Sequence, residues 1–102
     1  MPNPNEIFYD VDEMSSKATQ LKQLADQLRE EAAKMNGIIA DLEGKWSGKE
    51  YEGFLGEYDE FKGHQTTFAD TVETFGVALE AAAQRAQDQD DAGRQSVEQL
   101  ID

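Results

Sequence analysis

Apolar residues recur at seven-residue intervals in two long stretches of the chain. In the first stretch, Met14, Leu21, Leu28, Met35 and Leu42 form one series, and Val11, Ala18, Ala25, Ala32 and Ile39 form another three residues ahead of it. Paired series of this kind make an a/d seam and predict a helix packed lengthwise on other helices. The second series is mostly alanine in its middle, which lets a neighbouring helix approach closely. Leu24 and Ile38 widen the apolar face beyond the seam. In the second stretch, Phe54, Phe61, Phe68, Phe75 and Ala82 keep the same interval. Tyr58, Gln65, Val72, Leu79 and Ala86 accompany them, with Leu55, Ala69, Gly76 and Ala83 alongside.

Local signals place the ends of these helices. Asp10 and Glu13 have the spacing of a capping box, and Ile7-Phe8-Tyr9 can staple the entry. Asn3-Pro4 with Glu6 is a rival start one or two turns earlier. Gly44, Trp46 and Gly48 interrupt the pattern. Ser47 and Glu50 then fit a second capping box, with Ser47 as N-cap. Both prolines, Pro2 and Pro4, precede all of this and leave the rest free to be helical. The expected organisation is an N-terminal arm over residues 1–10 and a helical hairpin over 11–88. Within the hairpin, helix 1 covers about 11–43, a turn 44–48, and helix 2 about 48–88. An acidic, flexible tail follows over 89–102. Glycines at 53, 56, 63 and 76 weaken the second helix by up to about 1 kcal/mol each, so tertiary packing must support it.

Two helices in one hairpin cover only part of two such broad faces. The remaining stripe of Phe, Leu and Met exceeds what soluble monomers normally expose. A second hairpin completing a four-helix bundle is the economical solution. The face predicted to meet it comprises Met14, Leu21, Leu28, Met35 and Leu42 from helix 1. Helix 2 contributes Phe54, Phe61, Phe68, Val72, Phe75 and Leu79.

Composition narrows the functional classes. The 102 residues carry 22 acids against 9 Lys and Arg, a formal charge of −13. Such a surface repels phosphate backbones and anionic membranes, which argues against nucleic-acid partners. No apolar run approaches the roughly 20 residues of a membrane helix, so no membrane insertion is expected. The first sixteen residues contain no Lys or Arg and no long apolar stretch, unlike a conventional secretory signal. With no cysteine, disulfides, thiolate metal sites and a cysteine nucleophile are excluded. His64 is the sole histidine, preceded at −3 by Phe61, so the Glu-x-x-His pairs of a di-metal bundle do not occur. No phosphate loop or nucleophile elbow is present. The expectation is a non-enzymatic interaction protein without a cofactor.

The break itself carries the most specific motif. Trp46-Ser47-Gly48 is a Trp-x-Gly tripeptide at the middle of a chain of about a hundred residues, between two heptad-patterned helices. On its own terms, Trp46 reads as a plug at the end of the hairpin and Gly48 as a residue for a tight turn. The combination resembles the WXG family of type VII (ESX) secretion substrates, and the resemblance covers almost the whole sequence. It implies an all-α, antiparallel two-helix hairpin with a Trp-x-Gly turn, pairing into a four-helix bundle dimer. It also implies cytoplasmic synthesis followed by export through the type VII machinery without a cleaved signal peptide. The implied partners are a second copy, a related Trp-x-Gly or Leu-x-Gly type hairpin, and the secretion ATPase. Two alternatives remain: an intracellular targeting chaperone for a larger toxin, and a non-secreted structural coiled coil.

One departure from the family pattern concerns the export signal. Many members carry Tyr-x-x-x-Asp/Glu after the second helix, but here Ala86-Gln87-Asp88-Gln89-Asp90 keeps the acid and lacks the tyrosine. The sole Tyr-x-x-x-acid, Tyr9 to Glu13, lies at the other end. Val97, Leu100 and Ile101 recur at helical spacing in the tail. They read either as anchors of a short helix that folds into a partner's groove or as incidental residues of an inert terminus. The resemblance suggests the secretion ATPase as that partner, with Ala86 and Asp90 at the place of the degenerate secretion signal.

Overall fold

The computed structural model describes the backbone of residues 8–101 and the side chains of residues 8–89. Two helices, α1 (Val11–Ala40) and α2 (Lys49–Ile101), fold back on each other as an antiparallel hairpin 81 Å long. Asp10 is the N-cap of α1, and its Oδ1 accepts the Glu13 backbone N–H at 3.0 Å. The rival start at Asn3-Pro4 and the staple residue Ile7 lie outside the described residues. Phe8 is 77% exposed and staples nothing. On the surface of α1, Lys17 pairs with Glu13 at 3.5 Å and Lys34 with Glu31 at 3.3 Å.

α1 ends at Ala40, earlier than the expected residue 43. Its last turn tightens: the N–H groups of Leu42, Glu43 and Lys45 donate to carbonyls three residues back, at 3.0–3.1 Å. Gly44 then takes φ +80, a left-handed conformation that reverses the chain. Ser47 is not the N-cap of α2. Gly48, at φ +113, occupies that position, and its carbonyl accepts the first helical bond from Glu52 N–H at 3.1 Å. The reversal demands a positive φ there, which a serine adopts only at a cost.

α2 runs through to Ile101 where the apolar pattern predicted fading near residue 88. Fading marks the loss of a packing partner, since α2 has 53 residues against 30 in α1. The local preference of Ala, Gln, Glu and Asp-flanked turns, with no proline, continues the helix regardless. The side chains of Asp90, Val97, Leu100 and Ile101 lie outside those described.

The core is an alanine seam. Ala18 and Ala25 on α1 and Ala69, Ala83 and Ala86 on α2 are buried, with Tyr58 the one large side chain among them. Small residues let the two backbones approach closely. At Gly76 an added Cβ would lie 3.2 Å from the Ala18 carbonyl and 3.0 Å from Lys22 Cγ. Tyr58 donates its hydroxyl to Asn36 Oδ1, which satisfies its polar tip. One long edge of the hairpin is ionic. Arg29 reaches across to Asp70 at 2.8 Å and Glu73 at 3.1 Å, and Lys22 pairs with Glu80. The hydrogen bonds to Asp70 and Glu73 push the guanidinium pKa up. Exposed pairs of this kind fix alignment more than they add stability.

Candidate interaction surface and the Trp-x-Gly turn

The edge opposite the ion pairs is apolar and open. On α2 the phenylalanine column stands one helical step to the side of the buried alanines, so it faces outward. Phe61 is 45% exposed, Phe68 60% and Phe75 63%. Phe54, Val72 and Leu79 are half-buried beside them. Met14, Leu21, Leu28 and Met35 on α1, and Leu42 in the turn just after it, are half-buried along the same edge, and Leu24 beyond them is exposed.

Two grooves join these columns. One, of about 460 Å³, is lined by Leu28, Phe61, His64, Gln65 and Phe68. The next, of about 330 Å³, is lined by Met35, Phe54, Glu57, Tyr58 and Phe61. They share Phe61 and form one band across both helices. Gln65 lies at its floor, donating weakly to Met35 Sδ at 3.6 Å and leaving a buried Oε1 without a partner. The band has the attributes of a protein-binding surface: aromatic, shallow and continuous. The expected interface residues therefore fall into two columns bordering one band, whereas the intramolecular seam belongs to their small neighbours.

Trp46 is not the buried plug that its position in the turn predicts. The ring is 37% exposed and rests on the first turns of α2, with centroids 5.3 Å from Tyr51 and 5.6 Å from Phe54. The reason is local. Gly48 turns the chain sharply, and Trp46 folds back on α2 rather than entering the seam. Tyr51 was not singled out from the sequence. Its spacing of three from Phe54 on a first helical turn is the signal that could have found it. The resulting Trp46–Tyr51–Phe54 cluster closes the turn end of the apolar band.

Ala86, at the place of the missing tyrosine, is buried in the alanine seam. His64 is exposed in the groove wall, and no group of three or more His, Cys, Asp or Glu able to hold a metal ion occurs among the described residues. Among them, too, no helix is long and apolar enough to cross a membrane.

The family described as "Proteins of 100 residues with WXG" (WXG100) matches residues 6–91, from the arm through the greater part of α2. The chain belongs to the WXG100 family. No curated protein matches it in sequence. Solved structures share its fold. EsxA from Geobacillus thermodenitrificans, 22% identical, superposes with a TM-score of 0.77 over 86% of this chain and 98% of its own. The secreted protein EsxB from Bacillus anthracis str. Sterne, 25% identical, gives 0.75 over 83% and 97%. The WXG100 hairpin here thus extends nearly end to end along both relatives, with Trp46 and Gly48 in the turn that names the family.

Proposed function

We propose that this WXG100 protein is a substrate of a type VII secretion system, exported folded, and that it acts by protein–protein contact as one half of a four-helix bundle. The open apolar band carries this reading. A face with Phe68 and Phe75 more than half exposed needs a partner, and a second WXG100 hairpin, identical or related, supplies the same kind of face. The likeness to EsxB, which is a secreted protein, supports the route. The Trp46–Tyr51–Phe54 cluster, half-exposed at the turn, is a docking point for the secretion machinery, and Val97, Leu100 and Ile101 are anchors for its ATPase.

Burial of Ala86 favours a second reading as well. A position inside the seam presents no side chain to the ATPase, so a partner hairpin supplies the complete signal and this chain travels with it or stays behind as its escort. Fractionating cells that produce the chain with and without its partner tests both readings. Recovery from the culture supernatant supports export, and retention in the cytoplasm alongside an exported partner supports the escort. Deleting residues 96–102 abolishes export while leaving the melting temperature nearly unchanged. Wild-type secretion of that truncation would remove the tail from the account.

A further inference from the structure

The series Tyr58, Gln65, Val72, Leu79 and Ala86 on α2 is apolar apart from its first two members. Tyr58 has its hydroxyl engaged by Asn36. Gln65 has no comparable partner among the described residues. Its Nε2 donates only to the thioether of Met35, at 3.6 Å, and its Oε1 is buried without a hydrogen bond. A thioether sulfur accepts and cannot donate, so reversing the amide leaves both of its ends unpaired. An apolar residue at this position would cover the same surface without an orphaned polar atom, so glutamine lowers the stability of the single hairpin. Its place in the band suggests a use for it. Gln65 lines a groove together with Leu28, Phe61 and Phe68, and whatever fills that groove takes the whole amide out of water.

We infer that Gln65 is a specificity-determining residue of the apolar band: it admits a partner that brings a primary amide to the floor of the groove, and a second copy of this chain does so with its own Gln65. The inference rests on the pairing proposed above and adds what selects the partner. A primary amide carries a donor and an acceptor side by side, so two of them satisfy each other through a reciprocal pair of N–H to carbonyl bonds. Little else in the band can serve. The other residues of the two grooves are aliphatic, aromatic or thioether, apart from Glu57, Tyr58 and His64. Tyr58 is already engaged, and Glu57 and His64 stand exposed on the rim. Reaching the second copy takes a turn of the amide. The terminal torsion of glutamine is soft, and a gap of about 290 Å³ behind it, bordered by Ala32, Ala33, Thr66 and Ala69, gives it room. One polar residue in an otherwise apolar seam fixes register and partner in coiled coils while lowering stability. A hairpin presenting leucine or phenylalanine at this level leaves the amide dry and unpaired, and is disfavoured.

Mixed pairs test this directly, because they report coupling across the interface rather than the stability of either copy. Gln65→Leu is a swap of similar size at a half-buried position, and circular dichroism checks that the variant stays helical. Gln65→Met, unbranched like glutamine, serves as a second variant. Parent and isotopically heavy variant are mixed in equal amounts, allowed to exchange, and their pairs counted by native mass spectrometry. Where the two side chains do not interact, mixed pairs make up roughly half of all pairs, even if the variant's own pair is the tighter. The expected result is a mixed pair disfavoured about tenfold against the two like pairs, because it strands one amide opposite an apolar side chain. Mixed pairs at the full statistical share for both variants overturn the inference and leave the pairing itself standing. A parent chain that stays at 11.4 kDa at every concentration overturns the pairing and the inference together.

Discussion

Gly76 and Gly63 occupy the same helix and have opposite consequences. A side chain at Gly76 meets the Ala18 carbonyl and the Lys22 backbone, neither of which can withdraw without separating the helices. Gly76→Val is therefore expected to lower stability by about 1–3 kcal/mol, as overpacking does in close-packed interiors. Around Gly63 there is no neighbour within 4 Å. Gly63→Ala should raise stability by about 0.5–1 kcal/mol through helix propensity alone. Chemical denaturation of the two variants measures both signs, and a Gly76→Val protein as stable as the parent would refute the close seam. Trp46→Ala should cost only about 1–2 kcal/mol, because the ring is half-solvated and loses one face of contacts rather than a full burial. Thermal melting beside a secretion assay separates that modest loss from the failure of export expected of a docking residue. Which residues approach closely was only partly legible in the sequence. Alanine spacing on α1 pointed to it, but the choice of Ala69, Gly76 and Ala83 over the neighbouring phenylalanines depends on how the two helices rotate against each other. Periodicity within one helix does not fix that rotation.

The helices and their direction follow from pattern, whereas their ends follow from turn chemistry. Asp10 caps α1 as its spacing to Glu13 indicates, and Asp10→Ala should remove about 1 kcal/mol, read as a fall in melting temperature with unchanged helicity at low temperature. An unaltered melting temperature would mean that the first turn contributes nothing to the cooperative unit. At α2 the serine signal at Ser47 misleads. Capping propensities assume an extended N-cap, but this reversal uses a positive φ that Gly48 supplies. The far end of α2 differs for another reason: heptad spacing reports packing partners, and a helix whose local sequence is permissive continues after its partner has ended.

As a molecule, the hairpin divides its functions between two edges. Arg29 and Lys22 with their carboxylates hold α1 and α2 in register along one, and the phenylalanine and leucine columns remain open along the other. The wide apolar face was legible from the sequence because two helices cannot bury so many series. Its boundary was not legible, since it follows from the alanine seam claiming the inner face. The division predicts separable effects. A charge in the seam at Ala25 should unfold the hairpin, whereas a charge at Phe68, more than half exposed in the single hairpin, should leave it helical and unpaired. The most direct measurement is sedimentation equilibrium of the chain and of Phe68→Asp, with circular dichroism on the same samples. The account predicts a mass twice the 11.4 kDa of one chain for the parent, and a single-chain mass with retained helicity for Phe68→Asp. A variant that keeps the doubled mass with the parent's affinity would contradict it, because the band between Leu28 and Phe68 would then not be the surface that joins the hairpins.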